Sequence, residues 1–175
     1  MKEDCILCQI IEGKIPSEKV YEDEYILAVL DINGANPGHT FVIPKEHYTI
    51  LEQVPDFLVG KLFSIANRVS SCLFESLSMH GTNLLVANGI PAGQIAAHFM
   101  INVVPRNEND GINITWQPRK VSEEEMSTVE IQLKEAAKNI GGFETKGDAE
   151  QVKAEEPQSI AGEDSYLLRQ ISRIP

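Results

Sequence analysis

Between Pro55 and Leu77 the apolar residues Leu58, Leu62, Ile65, Val69 and Cys72 recur at spacings of three and four. That period lines up one face of an amphipathic helix, with Cys72 as a small buried side chain on it. Elsewhere the period drops towards two. The runs Tyr25 to Leu30 and His39 to Ile43 are rich in β-formers, and the loop between them, Asp31-Ile-Asn-Gly-Ala-Asn-Pro-Gly38, is dense in turn formers, so they predict a hairpin with a long loop. Asn83 to Ala87 and His98 to Val104 predict two more strands, joined by Asn88-Gly-Ile-Pro-Ala-Gly-Gln94 and paired antiparallel. At the N-terminus Ile6, Leu7, Ile10 and Ile11 precede Gly13 and Pro16, a short helix ending in a turn. Beyond Arg106 comes a polar loop, then Ser122 with Glu125 three residues on, a capping-box spacing that opens a helix running to about Ile140 and closed by Gly141-Gly142.

Composition narrows the class. A chain of 175 residues with 42% apolar and 23% charged residues has enough material for one domain with a core, plus a tail. Its 15 Lys and Arg against 26 Asp and Glu give a net charge of −11, a field that repels phosphate backbones and anionic membranes, so neither nucleic acid nor membrane is an expected partner. No continuous apolar run approaches the roughly 20 residues of a membrane span, and the charged N-terminus is unlike a signal peptide. Together with an odd count of three cysteines, this points to a reducing, cytoplasmic setting. Residues 144 to 165 hold seven acidic and two basic side chains with few bulky apolar ones, the composition of a disordered linker or a partner-binding tail. Tyr166 to Pro175 regains Leu167, Leu168, Ile171 and Ile174, a candidate docking segment.

The candidate chemistry clusters on the last strand and at the N-terminus. Alternation sends His98, Met100, Asn102 and Val104 to one face and Phe99, Ile101 and Val103 to a core face. The first set is mixed and follows a loop with Gly89, Gly93, Asn88 and Gln94, whose amides and permissive backbone suit contact with a phosphate or sugar. An ordinary hairpin with its outer face in water gives the same pattern. Cys5 and Cys8 form a CxxC, which is compatible with a redox pair, a metal site or simple burial. His80, near the end of the long helix, reads as a solvated end residue, and Trp116 with Pro118 as a possible contact for a neighbouring subunit.

From CILCQIIEGKIPSEKVYEDEYILAVLDINGANPGHTFVIPKEHY through AGQIAAHFMINVVPR, about residues 3 to 106, the sequence resembles the histidine-triad (HIT) family of nucleotide hydrolases and transferases. The resemblance implies an α+β fold, a five-stranded antiparallel sheet with a long amphipathic helix, extended across a homodimer. The implied organisation is a HIT domain over 1–110, a C-terminal extension over 111–143 whose helix packs on the domain or a dimer partner, and an acidic tail over 144–175. The family motif His-x-His-x-His reads His98-Phe-Met100-Ile-Asn102 here, so the nucleophile position holds Met100 and the third position Asn102. A thioether neither shuttles protons nor attacks phosphorus well. Losing a nucleophile that acts within a catalytic unit costs on the order of 10⁶ in turnover, about 8 kcal/mol. The resemblance also assigns His39 to support of the triad, Asp31 to the ribose hydroxyls, Asn88 and Gln94 to the phosphate end, and Ile6, Leu7, Ile10, Ile15, Val29 and Ile32 to the walls around a purine base. Read from pattern alone, those six apolar residues are core residues with no ligand. Ile95 stands where family members often place a hydroxyl residue after the Gly-Gln pair.

The resemblance to bacterial and archaeal zinc-binding members implies a complete ligand set in Cys5, Cys8, His47 and His98. Two thiolates and two neutral imidazoles suit Zn²⁺ in charge and number, with no open position, which makes the expected zinc structural. Such a commitment of the His98 lone pair would prevent it from replacing the missing nucleophile. The expected function is therefore a homodimeric binder of a purine nucleotide such as AMP, impaired in catalysis. The alternatives are an active phosphoramidate or dinucleotide hydrolase with a non-standard mechanism, such as direct attack by water positioned by Asn102 or His39, and a zinc-structured interaction module with no ligand.

Overall fold

The computed structural model describes residues 4–138, which fall into two compact units, 4–111 and 112–138. The candidate docking segment, the acidic stretch and Gly141-Gly142 lie outside the described residues. In the first unit, helix α1 (Ile6–Ile11) is followed by strands β1 (Lys19–Glu22), β2 (Ile26–Leu30) and β3 (Thr40–Pro44). After them come a 3₁₀ turn (Leu51–Gln53), helix α2 (Asp56–Leu77), β4 (Gly81–Leu85) and β5 (Ile101–Arg106). The strands make one antiparallel sheet in the order β1-β2-β3-β5-β4. Strand β1 was not legible as a strand: its four residues KVYE carry one half-buried position and pair only at the sheet edge.

The alternation of the central strands divides two cores. Ile26, Ala28, Val42, Phe99, Ile101 and Val103 face α2, where Leu58, Leu62, Ile65, Ala66, Val69 and Leu73 fill the other half. Leu27, Val29, Ile43 and Met100 face the opposite side and pack with Cys5, Leu7 and Cys8 from the α1 segment. Truncating a fully buried leucine such as Leu62 to alanine costs about 2–5 kcal/mol in such cores. By length and composition α2 is apolar enough to cross a membrane, yet its apolar face is the one the sheet covers.

Three expectations need correction. Cys72 is exposed: Ala66, Ser70 and Leu73 join Leu58, Leu62, Ile65 and Val69 in the buried stripe of α2, which turns its centre roughly 80° away from position 72. The strand expected from His98 begins at Ile101. Its first residues are diverted from the ladder, with the Phe99 N–H donating to the Tyr48 carbonyl at 2.6 Å, although the side chains keep alternating between the two cores. The strand expected over Asn83 to Ala87 is displaced towards Gly81, since pairing with β5 stops at Leu85 opposite Asn102.

The loop between β2 and β3, which carries Asp31 and His39, is held through Asn36 and Gly38. Asn36 donates from Nδ2 to the Pro105 carbonyl at 2.8 Å and to Asp110 Oδ2 at 3.0 Å. Arg106 grips the same carboxylate, Nε to Oδ2 at 2.7 Å and Nη2 to Oδ1 at 2.9 Å, and reaches Asn83 Oδ1 through Nη1 at 2.6 Å. Gly38, at φ +91°, lets the loop pass the end of α2: a Cβ there would lie 2.7 Å from Leu73 Cδ2 and 2.9 Å from Leu77 Cδ1. In the second unit, helix α3 (Glu123–Ala137) starts with the expected capping box. Ser122 Oγ accepts from the Glu125 N–H, and the Glu125 carboxylate accepts from the Ser122 N–H.

Candidate functional site

Four expected ligands converge. Cys5 precedes α1 and Cys8 lies in its first turn, His47 follows β3, and His98 leads into β5, so three separate segments meet at one point. Their ligand atoms all lie within 4.8 Å of one another. Nδ1 of His98 is 3.6 Å from Sγ of both cysteines, and Nδ1 of His47 is 3.2 Å from Sγ of Cys8. A tetrahedral centre with bonds of about 2.3 Å to sulfur and about 2.1 Å to nitrogen has S···N edges of about 3.6 Å, the spacing His98 adopts. The His98 ring is fully buried, and its Nε2 lies 2.9 Å from the Pro44 carbonyl. A carbonyl only accepts, so the neutral ring carries its proton on Nε2 and turns the Nδ1 lone pair towards the thiols, as a metal-ligating imidazole requires. The donor set therefore fits a zinc-like ion in number, spacing and tautomer. Pro44 is a participant that the sequence did not reveal, because its contribution is a backbone oxygen positioned by β3.

Beside this cluster lie the remaining triad positions. Met100 is 7% exposed and packs with Cys5, Leu7, Cys8, Leu27, Val29 and Ile43. His39, also buried, accepts at Nδ1 from the Ala35 N–H at 3.1 Å, so its Nε2 carries the proton and donates to Asn102 Oδ1 at 3.2 Å. The Asn102 amide is oriented in turn by Nδ2 donating to the Leu85 carbonyl at 3.4 Å. Asp31 Oδ2 approaches His39 Nδ1 to 3.6 Å, while its Oδ1 accepts from the Asn33 N–H at 2.9 Å. Asp31, His39 and Asn102 thus form a connected row of carboxylate, imidazole and amide, with the imidazole neighbouring a hydrogen-bonding partner that does not titrate.

The two amides expected at the phosphate end have partners within the chain. Asn88 accepts at Oδ1 from the Leu51 N–H at 2.9 Å and donates from Nδ2 to both carboxylate oxygens of Glu52 at 2.8 Å. The Asn88 hydrogen bond also holds the Glu52 carboxyl below its usual range. Gln94 accepts from the Gly89 N–H at 2.8 Å and donates to the carbonyls of Thr49 and Ala96 at 2.7 and 2.8 Å. Both amides brace the connection between β4 and β5 against the segment after β3. Glu52 was missed in the sequence because nothing local ties it to a residue 36 positions away. Of the six apolar residues expected around a base, Leu7 and Val29 belong to the core, Ile10 packs at its edge and Ile15 is half-buried. Ile6 and Ile32 present their side chains to solvent, 55% and 88% exposed. His80 is exposed, with Nδ1 accepting from the Glu108 N–H at 3.2 Å, and Trp116 and Ile95 are 84% exposed.

The family model of the HIT domain matches residues 12–109, more than half of the chain. The chain belongs to the HIT family. A HIT-family protein of Bacillus subtilis has the same fold, with a TM-score of 0.71 and 34% identity over 75% of this chain and 96% of its own. A zinc-bound histidine-triad family protein of Mycobacterium smegmatis superposes with a TM-score of 0.62 at 31% identity, covering 78% of this chain and 99% of its own. Among sequence relatives, the Arabidopsis thaliana protein named adenylylsulfatase HINT3 is 39% identical over 63% of this chain, which spans only 56% of that relative's length. The Schizosaccharomyces pombe protein named adenosine 5'-monophosphoramidase hnt1 is 31% identical over 71% of this HIT chain and 92% of its own.

Proposed function

We propose that this HIT chain binds a purine nucleoside monophosphate such as AMP and is impaired in nucleotidyl transfer, its fold stabilised by a structural zinc on Cys5, Cys8, His47 and His98. The carrying observation is Met100, a thioether packed among apolar side chains at the nucleophile position. A covalent nucleotidyl intermediate needs a nucleophile there that donates an electron pair to phosphorus, and methionine is a poor one. The neighbouring imidazoles do not restore it. His98 faces the thiols through Nδ1 and Pro44 through Nε2. His39 reaches Asn102 through Nε2 and is the supporting imidazole of the row that starts at Asp31.

The adenylyl group named in both relatives, adenylylsulfatase and adenosine 5'-monophosphoramidase, supports a purine nucleotide as the ligand. Asp31 keeps the acceptor capacity suited to ribose hydroxyls, with one oxygen engaged by the Asn33 N–H. The zinc assignment is supported by the convergence of the four ligands and by the zinc-bound Mycobacterium smegmatis structure. A bound zinc would supply charge to hold two thiolates together and would tie α1 to the sheet. It would leave no open position for substrate.

The test is hydrolysis of an adenosine phosphoramidate under single-turnover conditions, with AMP binding measured by calorimetry on the same preparation. The expected result is AMP binding without turnover in the wild type, and turnover gained in the Met100→His, Asn102→His double variant. Wild-type turnover abolished by His39→Ala would overturn the reading in favour of an active hydrolase that uses another route. Absence of AMP binding in wild type and double variant alike would favour an interaction module.

A further inference from the structure

We propose that the outer face of α2 beside the β1–β2 turn is a docking site for an acidic peptide segment of a partner protein. A hollow of about 390 Å³ lies there, lined by Asp23 and Ile26 from the hairpin and, along α2, Phe57, Gly60, Lys61, Ser64, Ile65 and Arg68. Its charge sets it apart from the rest of the unit. Among the described residues of 4–111, Lys14, Lys19, Lys45 and Arg106 each sit within ion-pair distance of a carboxylate, on Glu12, Glu22, Glu22 and Asp110 at 2.7 to 2.8 Å. Lys61 and Arg68 have no carboxylate at that distance among the described residues, and both line this hollow. The one carboxylate in the lining, Asp23, is already bonded by the Tyr21 hydroxyl and the N–H groups of Tyr25 and Ile26.

Lys61 is also held in place. Its ammonium lies 4.6 Å from the Tyr25 ring centroid and 5.9 Å from that of Phe57, and the two rings meet edge to face at 6.3 Å. A cation fixed in this way loses less side-chain freedom when it meets an anion. Arg68 lies seven positions after Lys61, so they share one face of α2 and stand about 10 Å apart along its axis. Phe57, 60% exposed, adds an apolar surface at one end.

Gly60 supplies an independent observation. Inside a helix a glycine is about 0.5–1 kcal/mol less favourable than alanine. Its φ is not positive, and a Cβ at this position would meet nothing within 4 Å, so no contact within the unit requires the missing side chain. Open space above Gly60, in the lining between Phe57 and Ser64, admits a partner side chain against the helix backbone. Two separated cations, an exposed ring and this gap match a segment that carries carboxylates on both sides of an apolar residue. Local charge complementarity favours such a segment against the chain's overall negative field, because the hollow's lining holds two cations and a single carboxylate, Asp23, whose oxygens are already hydrogen-bonded.

The experiment uses the full chain and a fluorescein-labelled peptide, Gly-Asp-Glu-Phe-Asp-Glu-Gly, with a control in which lysine replaces each acidic residue. Anisotropy gives affinity, and amide chemical shifts locate the contact. The expected result is saturable binding of the acidic peptide alone, with shifts confined to residues 23–26 and 57–68. The Lys61→Gln, Arg68→Gln variant should then bind about tenfold more weakly, with its amide spectrum outside residues 23–26 and 57–68 preserved. Gly60→Leu should weaken binding while leaving both cations in place, a readout that general charge attraction does not move. No binding, binding indifferent to these variants, or shifts mapped elsewhere would overturn the proposal. So would loss of self-association in the Lys61→Gln, Arg68→Gln variant, which would assign the face to a second copy of the chain.

Discussion

Met100 and His98 are two residues apart, and their side chains lie on the same side of the sheet, yet they have different physical roles. Met100 fills space between the α1 segment and the sheet, whereas His98 has both ring nitrogens committed, one to a carbonyl and one towards two thiols. The CxxC and the histidines were legible as candidates by type and spacing. Which nitrogen of His98 faces the sulfurs was not, since that follows from the Pro44 carbonyl across the sheet. Two residue-scale outcomes are expected. Cys8→Ser should release bound metal, measured by elemental analysis, and lower the melting temperature, because Cys8 lies 3.2 Å from one candidate imidazole and 3.6 Å from the other. Glu52→Gln should keep one of the two acceptors for Asn88 Nδ2 while removing the charge, so AMP binding measured by calorimetry should tighten if Asn88 serves the phosphate end of the site.

At the scale of elements, amphipathic period predicted α2, β2 and β3 because each buries a regular face. It failed at β1, a four-residue edge strand with little to bury, and at position 72, because Ala66, Ser70 and Leu73 centre the buried stripe of α2 away from it. The loop carrying Asp31 and His39 depends on Gly38, whose φ of +91° and contact with Leu73 and Leu77 leave no room for a Cβ. Gly38→Ala should destabilise the unit by about 1–3 kcal/mol, read by chemical denaturation, and should disturb the hydrogen bond between His39 and Asn102. In α3 the reciprocal bonds of Ser122 and Glu125 satisfy donors that the first helical turn leaves open. Ser122→Ala should cost that helix about 1 kcal/mol, seen as lost helicity and faster amide exchange over its first turn.

For the whole molecule, acid stability follows from carboxylates bound in the folded state. Hydrogen bonds from Lys19 and Lys45 hold Glu22 down at about 2. Burial alone would raise Asp23, but its bonds from Tyr21, Tyr25 and Ile26 and the charge of Lys61 outweigh that and lower it. A depressed folded pKa adds stability that is fully present above the unfolded value of about 4 and is lost as pH falls through the folded one. The difference in melting temperature between wild type and Glu22→Gln should therefore be largest above about pH 4 and shrink towards pH 2. The sequence by itself carried the β2–β3 and β4–β5 pairings through local period and, through residue identity, the four candidate metal ligands and a Met100 and Asn102 where the family motif has histidines, while its resemblance to the HIT family implied the fold. Tertiary structure decided what those residues do to one another. It gave His98 its tautomer, put Asn88 on Glu52 and Gln94 on Thr49, and set Lys61 and Arg68 beyond ion-pair distance of any carboxylate among the described residues. Each depends on which distant backbone or side-chain atoms the folded sheet brings within bonding distance, information that no local stretch of chain contains.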